Sequence, residues 1–226
     1  EEPMQVISGA IGREVVHFEA PPSDKVPEEM QSFIKWFNKT SPKEEKAINH
    51  APIRAAITHL YFESIHPFED GNGRIGRAIA EKALSQTTGY PVLLSLSASI
   101  EQNKKAYYKF IEKGQRHNEI TDWLIYFIQT IIDAQEASQE LIDFTLNKVR
   151  FFDQYRDQLN ERQLKVIKRM LDEGTKGFEG GMNATKYLRI AKTSKATATR
   201  DLQKLIEIGA FKSEGGGRST RYLVNF

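Results

Sequence analysis

From Glu28 to Phe152 apolar residues recur every three or four positions, the spacing of one buried helix face rather than of a strand, so most of this length is expected to be helical. Met30, Phe33, Ile34 and Phe37 form the first stripe, closed by NKTSP. The second runs through Ile53, Ala56, Ile57 and Leu60 to Ile65, with Pro52 in its first turn, where a missing N–H costs nothing. It stops at His66, because the residue before Pro67 is pushed out of helical φ/ψ. A third helix is expected from about Asn72, carrying Ile75, Ile79 and Leu84 to the Gly89-Tyr90-Pro91 stop. SASIEQNKKAYYKFIEKG reads as one more helix, and EITDWLIYFIQTIIDAQEASQELIDFTLNKVRFF as a long one.

The ends of the chain differ from this middle. Two β-rich runs, Gln5 to Ser8 and Glu14 to Phe18, are separated by Gly9 and Gly12 and closed by Pro21-Pro22, which predicts a hairpin. After about Tyr155 come a helix in LNERQLKVIKRMLDEG, a glycine-rich loop TKGFEGG, two short helices and a terminal hairpin. The expected fold class is therefore mainly α, a helical core with an N-terminal hairpin over residues 1–155, followed by a small α/β domain over residues 156–226. Charge divides in the same way: residues 1–156 hold 18 Lys+Arg against 22 Asp+Glu, residues 157–226 hold 14 against 8. A nucleic-acid surface is to be sought in the basic end. The chain has no cysteine, which excludes disulfides and thiolate metal sites and suits a reducing, cytoplasmic setting. No apolar run approaches the ~20 residues that span a bilayer, so no membrane partner is expected. The first residue is Glu1, not methionine, so part of the natural N-terminus is expected to be missing.

HPFEDGNGRIGR, residues 66–77, concentrates charge and small residues in twelve positions. Gly71 and Gly73 flank Asn72, so the main chain can take positive φ and turn its N–H groups inward where a helix begins, a concave anion site. Arg74 and Arg77, three apart, leave from one face near the positive helix end, and guanidinium forks bind phosphate oxygens bidentately. Asp70 fits such a site if Mg²⁺ separates it from the phosphates, since that ion is held by one or two carboxylates plus phosphate oxygens. His66, just outside, titrates near neutrality and is suited to take a proton from an incoming hydroxyl. Phe68 is expected to peg the loop to the core.

The run from His66 through Pro67, Phe68, Glu69, Asp70, Gly71, Asn72, Gly73, Arg74, Ile75 and Gly76 to Arg77 resembles in full the HxFx(D/E)GNGRxxR signature of Fic (filamentation induced by cAMP) domain proteins. The likeness extends over about residues 5–135, through APPSDKVPEEMQSFIKWFN and AYYKFIEKG. It implies a Fic-type helical core with a flap hairpin, and transfer of AMP from ATP to a Ser, Thr or Tyr hydroxyl of a target protein. By position, His66 would be the base and Asp70 would hold Mg²⁺. Gly71, Asn72, Gly73 and Arg74, with Ile75 and Gly76 behind them, would form the ATP-binding loop, and Arg77 would hold the γ-phosphate. Tyr107 and Tyr108 would line the adenosine side, and Gln115 stands where some relatives turn an asparagine toward the nucleotide. Val16, His17, Phe18 and Glu19 would offer an edge on which the target adds as a strand; the other reading is a plain ribbon covering the core. Some members instead phosphorylate, attach phosphocholine or remove AMP, alternatives the motif leaves open. Many carry an inhibitory helix with a Ser/Thr-x-x-x-Glu-Gly/Asn motif. Here that pattern occurs only at TKGFEG, Thr175 to Gly180, where it reads as coincidence, so activity without a cis inhibitor is expected.

His59, Glu63 and His66 superficially resemble metal ligands, but no third ligand is obvious and a structural or surface role for His59 is expected. The C-terminal segment resembles a winged helix-turn-helix of bacterial regulators, above all in TATRDLQKLIEIGAF. Ser194 can cap its second helix and Gly209 can end it. Ala198, Leu202, Leu205 and Ile206 would face the core. Lys195, Thr197, Thr199 and Arg200, with Arg218 and Arg221 of the wing, would contact DNA, and five basic residues with no acidic one lie between Asn183 and Arg200. The alternative is a winged helix used for protein contacts, including a homodimer. A DNA-binding regulator whose Fic site senses nucleotide or modifies itself is the runner-up function.

Overall fold

The computed structural model describes residues 4–8 and 15–226. The chain divides into two compact units, Glu1–Ser138 and Gln139–Phe226. The division falls inside one helix, Thr121–Tyr155, whereas the change in sequence character comes at that helix's end. Packing is the reason. Trp123, Phe127, Ile131 and Ala134 belong to the first core, and Phe151 and Tyr155 to the second.

In the first unit, β1 (Gln5–Ser8) pairs antiparallel with β2 (Val15–Glu19). Val6 faces Phe18 and Ile7 faces Val16, so the register slips and His17 sits at a bulge. The expected turn residues Gly9 and Gly12 lie outside the described residues. Three helices then form the center of the core: α1 (Val26–Lys39), α2 (Ala51–Ile65) and α3 (Asn72–Thr88). Their shared interior includes Phe33, Phe37, Ala55, Ala56, Phe62, Ala80 and Ala83.

Two expectations about these helices change. Ile34 and Ile75 are not core residues, being 52% and 37% exposed. The buried face of α3 is instead Asn72, Gly76, Ala80, Ala83 and Leu84. Small residues are needed there because α2 and α3 pack closely: a Cβ added at Gly76 would meet the Glu63 carboxylate and lie 3.1 Å from the His59 ring. Arg54, a residue that the helical spacing leaves unassigned, is fully buried on α2. Its Nη2 donates to the Phe37 carbonyl at 2.9 Å and to Gln86 Oε1 at 3.1 Å, its Nη1 to the Ala83 carbonyl at 3.2 Å, and the guanidinium stacks 4.5 Å from the Phe37 ring centroid. One side chain thus ties α1, α2 and α3 together.

The segment read as a single helix after Pro91 is two, α4 (Leu96–Gln102) and α5 (Lys104–Arg116). Asn103 breaks it with φ −137° and ψ 52°, and its side chain accepts from the Ala106 N–H at 3.4 Å. An Asx side chain offers the backbone this alternative to continued helix. The long helix α6 (Thr121–Tyr155) follows.

The second unit contains the end of α6, then α7 (Glu161–Leu171), α8 (Ala184–Ala191), α9 (Lys195–Glu207) and a hairpin of β3 (Phe211–Glu214) and β4 (Arg221–Val224). Asn160 and Gln163 form a capping box on α7, and Ser194 caps α9 by accepting from the Thr197 N–H at 3.2 Å. Gly209, with φ +78°, follows the end of α9. Ala198, Leu202 and Leu205 are fully buried, while Ile206 is only partly so. TKGFEG is a 3-10 turn and loop, not a helix.

Asp201 on α9 escaped the sequence reading. It is 7% exposed and accepts from Arg162 Nε at 2.9 Å, the Tyr187 hydroxyl at 3.0 Å and Asn160 Nδ2 at 3.3 Å. Asp201→Ala leaves the fully buried Tyr187 hydroxyl without its acceptor and is expected to cost about 2–3 kcal/mol. Urea unfolding followed by circular dichroism checks this; an unchanged midpoint contradicts it. Among the described residues no helix is long and apolar enough to cross a membrane.

Candidate active site

The loop after α2 is built by what proline cannot do. His66 closes α2 in the left-handed region, φ 50° and ψ 56°, its N–H on the Phe62 carbonyl at 3.1 Å. Pro67 has no N–H to give the Glu63 carbonyl, the next acceptor in the helix. Gln115 fills that place, its amide donating to the Glu63 carbonyl at 3.1 Å. Gln115 is therefore committed to the main chain beneath His66. Burial lowers the His66 pKa from its ordinary value, and the nearby Glu63 backbone offsets part of this. The ring is correspondingly neutral at pH 7.

Asn72 fastens the loop, and Phe68 adds a ring contact with the buried Phe62 at 6.3 Å between centroids. Asn72 is 3% exposed; its Oδ1 accepts from the Phe68 N–H at 3.0 Å and its Nδ2 donates to the Phe68 carbonyl at 2.6 Å. Phe68 itself is 44% exposed. Of the two glycines expected to take positive φ, only Gly71 does, at +91°, as the N-cap of α3. Gly73 is helical. The Ile75 N–H closes the first helical bond on the Gly71 carbonyl at 3.0 Å, which leaves the N–H groups of Asn72, Gly73 and Arg74 outside the helical ladder. That is an anion-binding helix start.

The charged residues surround it. Arg74 pairs with Asp70 at 2.8 Å, both side chains largely exposed, so the pair is weak and readily exchanged for other partners. Arg77 donates from Nε to Ser97 Oγ at 2.7 Å. Nothing in the sequence marks Ser97, which lies twenty residues away in an unremarkable LSLSAS run. Among the described residues no group of three or more His, Asp or Glu side chains could hold a metal ion. Asp70 is an exposed carboxylate of the loop, a donor that could join phosphate oxygens around Mg²⁺.

Beneath the loop lie His59, Glu63 and Tyr107, exposed by only 0%, 6% and 5%. His59 Nε2 and the Tyr107 hydroxyl are 2.9 Å apart, and the imidazole stacks on Trp123 and Phe127. His59 is thus a core histidine. Tyr107 is likewise a core residue, whereas Tyr108 is 51% exposed and open to a ligand. Beside Gln115 opens a cavity of about 560 Å³, with Ile57, Leu60 and Tyr61 in its apolar part and Ser64 and His117 among its polar lining.

Burial pushes Glu63 up to about 7 and His59 down to about 4. The signs oppose. A carboxyl with a raised folded pKa loses stability as pH climbs from its unfolded value toward 7; a histidine with a lowered one gains stability from about 4 to its unfolded value. Between about pH 4.5 and 6.5 the two slopes cancel. Glu63→Gln removes one of them, so its stability is expected to rise by about 2–3 kcal/mol more than the parent's across that window. Melting temperatures at several pH values check this, and equal slopes contradict it.

Val16 and Glu19 of β2 are exposed and Phe18 is partly buried; Gln5 Nε2 donates to Glu19 Oε2 at 2.9 Å. Among the described residues β2 pairs on one edge only. The side chains of His17 and Arg218 lie outside the described residues. In the second unit Lys195, Thr199, Arg200 and Arg221 are exposed and Thr197 partly so; the Thr199 hydroxyl donates to the Lys195 carbonyl at 3.0 Å.

Residues 2–84 match the model of the Fic/DOC family. Proteins called protein adenylyltransferase Fic in Drosophila sechellia, Drosophila simulans and Drosophila melanogaster are each 29% identical to this chain over 112 residues. That stretch is 50% of this chain and 20% of each relative, so the matched part spans about a fifth of the curated relatives' length.

Proposed function

We propose that this chain is a protein adenylyltransferase that moves AMP from ATP to a hydroxyl of a protein. The observation that carries the reading is the start of α3, where three N–H groups outside the helical ladder stand beside two arginines and follow a neutral histidine. The phosphates lie on the Asn72, Gly73 and Arg74 N–H groups. Arg74 leaves Asp70 for them, and Arg77 holds the terminal phosphate so that the α-phosphate faces the acceptor. Asp70 would hold Mg²⁺ beside the phosphates, and that ion would supply neutralisation of their charge. Tyr108 and the cavity beside Gln115 receive the adenosine. The target segment adds to the unpaired edge of β2.

In the transfer, His66 takes the proton of the acceptor hydroxyl as its oxygen attacks the α-phosphorus. A new O–P bond forms, the bond to the bridging oxygen breaks, and pyrophosphate leaves with the electron pair. The protein contributes positioning and preorganised charge. Incubation with a lysate and ATP labelled at the α-phosphate is expected to leave label on protein. Label retained only from γ-labelled ATP would mean phosphorylation instead.

A second reading concerns the other unit. Lys195 and Arg200 are exposed on α9, whose opposite face is core, an arrangement suited to DNA phosphates and the major groove. A salt-dependent gel shift that Lys195→Ala with Arg200→Ala abolishes is expected; no binding at low salt removes this reading.

A further inference from the structure

Arg77 lies on the second turn of α3, and a guanidinium on a flexible stem needs something to aim it. Two features do so. A Cβ at Gly73 would stand 3.1 Å from Arg77 Nη1, so the fork lies across the first turn of its own helix, over a residue with no side chain. Ser97 Oγ accepts from Arg77 Nε at 2.7 Å, which occupies the inner donor and leaves both terminal nitrogens for a ligand. Ser97 is itself held firmly. It follows Leu96, fully buried, whose N–H donates to Glu81 Oε1 at 3.2 Å, one turn beyond Arg77 on α3. Ser95 caps the same short helix through the Ala98 N–H.

We propose that Ser97 is a positioning residue that presets the Arg77 fork for the terminal phosphate and so makes the site select nucleoside triphosphates over diphosphates. This rests on the adenylyltransferase reading for the phosphate's place, and it adds what that reading lacks, the group that fixes Arg77. The fork is short of rotational freedom before ATP arrives, so less is lost on binding. Without the serine, Arg77 must be ordered by the γ-phosphate itself. ADP, which lacks that phosphate, gains nothing from the serine.

Calorimetric titration of MgATP and MgADP into the intact chain tests this, with melting curves recorded for every variant. Ser97→Ala is expected to weaken ATP binding about five- to tenfold, near the upper net worth of one ordinary exposed hydrogen bond, with ADP binding unchanged. Ser97→Thr keeps the hydroxyl and is expected to restore the preference for ATP. Equal weakening of both nucleotides, or no change in either, overturns the proposal, as does a threonine variant that behaves like alanine. Binding and transfer are read separately: ATP selectivity that depends on Ser97 in a protein that transfers no AMP contradicts the adenylyltransferase reading and leaves Ser97 its role toward Arg77.

Discussion

His66→Asn is expected to lower the rate of AMP transfer by about 10²- to 10⁴-fold, the usual range for loss of a general base, while MgATP binds as before. Asparagine is the better substitution than alanine here because His66 has φ 50° and ψ 56°, a left-handed conformation that asparagine tolerates and alanine resists. Pyrophosphate release, measured beside calorimetric ATP affinity, separates the two effects. Retained turnover would remove His66 from the chemistry. Lost ATP binding would show that the substitution had disturbed the loop. The lowered His66 pKa adds a pH signature: the ring is already neutral above its ordinary value, so the rate is expected to be level from about pH 7 to 8 and to fall only in acid.

Arg54→Ala is expected to have the largest effect on stability, a loss of about 3–4 kcal/mol. The substitution deprives the Phe37 carbonyl of its 2.9 Å donor in a buried place, removes the stacked guanidinium from the Phe37 ring and opens a void among α1, α2 and α3. Arg54→Lys is expected to recover little, since an ammonium cannot reach Phe37, Ala83 and Gln86 together through one planar fork. Thermal unfolding of the two variants provides the measurement; a lysine variant as stable as the parent contradicts the role of the fork.

The comparison of sequence with structure is instructive at single residues. The ends of α2 and α3 were legible because proline and glycine act locally: Pro67 stops one helix, and Gly89 stops the other with φ +84°. The loop's content was legible for the same reason, since the side chains gathered at the start of α3 are close in the chain. Long-range choices were not. Helical spacing nominated Ile75 for the core, but the close contact of α2 with α3 admits only Gly76 there. Arg54 reads as an anomaly in an apolar helix, and its five partners lie 14 to 33 residues away. Asp201 sits among basic residues of α9 and gave no sign that it would bind Arg162, 39 residues earlier.

The same distinction applies inside the site. His66, Asp70, Gly71, Arg74 and Arg77 could be named from one motif. Their supports could not, because Gln115 and Ser97 reach them from other helices and by ordinary polar contacts that no spacing encodes. Tyr107 was assigned to the ligand when its hydroxyl in fact completes a buried pair with His59. Adjacent helix positions lie about 100° apart, so Tyr107 turns into the core while Tyr108, its ring edge-on to Tyr107 at 5.3 Å, stays half exposed.

The central claim is that this site places AMP on a protein hydroxyl. Mass spectrometry of protein recovered after incubation with MgATP tests it most directly, beside His66→Asn treated alike. The account predicts a Ser, Thr or Tyr residue carrying the mass of one AMP, present with the parent chain and absent with the variant. Normal ATP binding with no such adduct on the chain itself or on any protein of a lysate, or an adduct equally abundant with the variant, would contradict it.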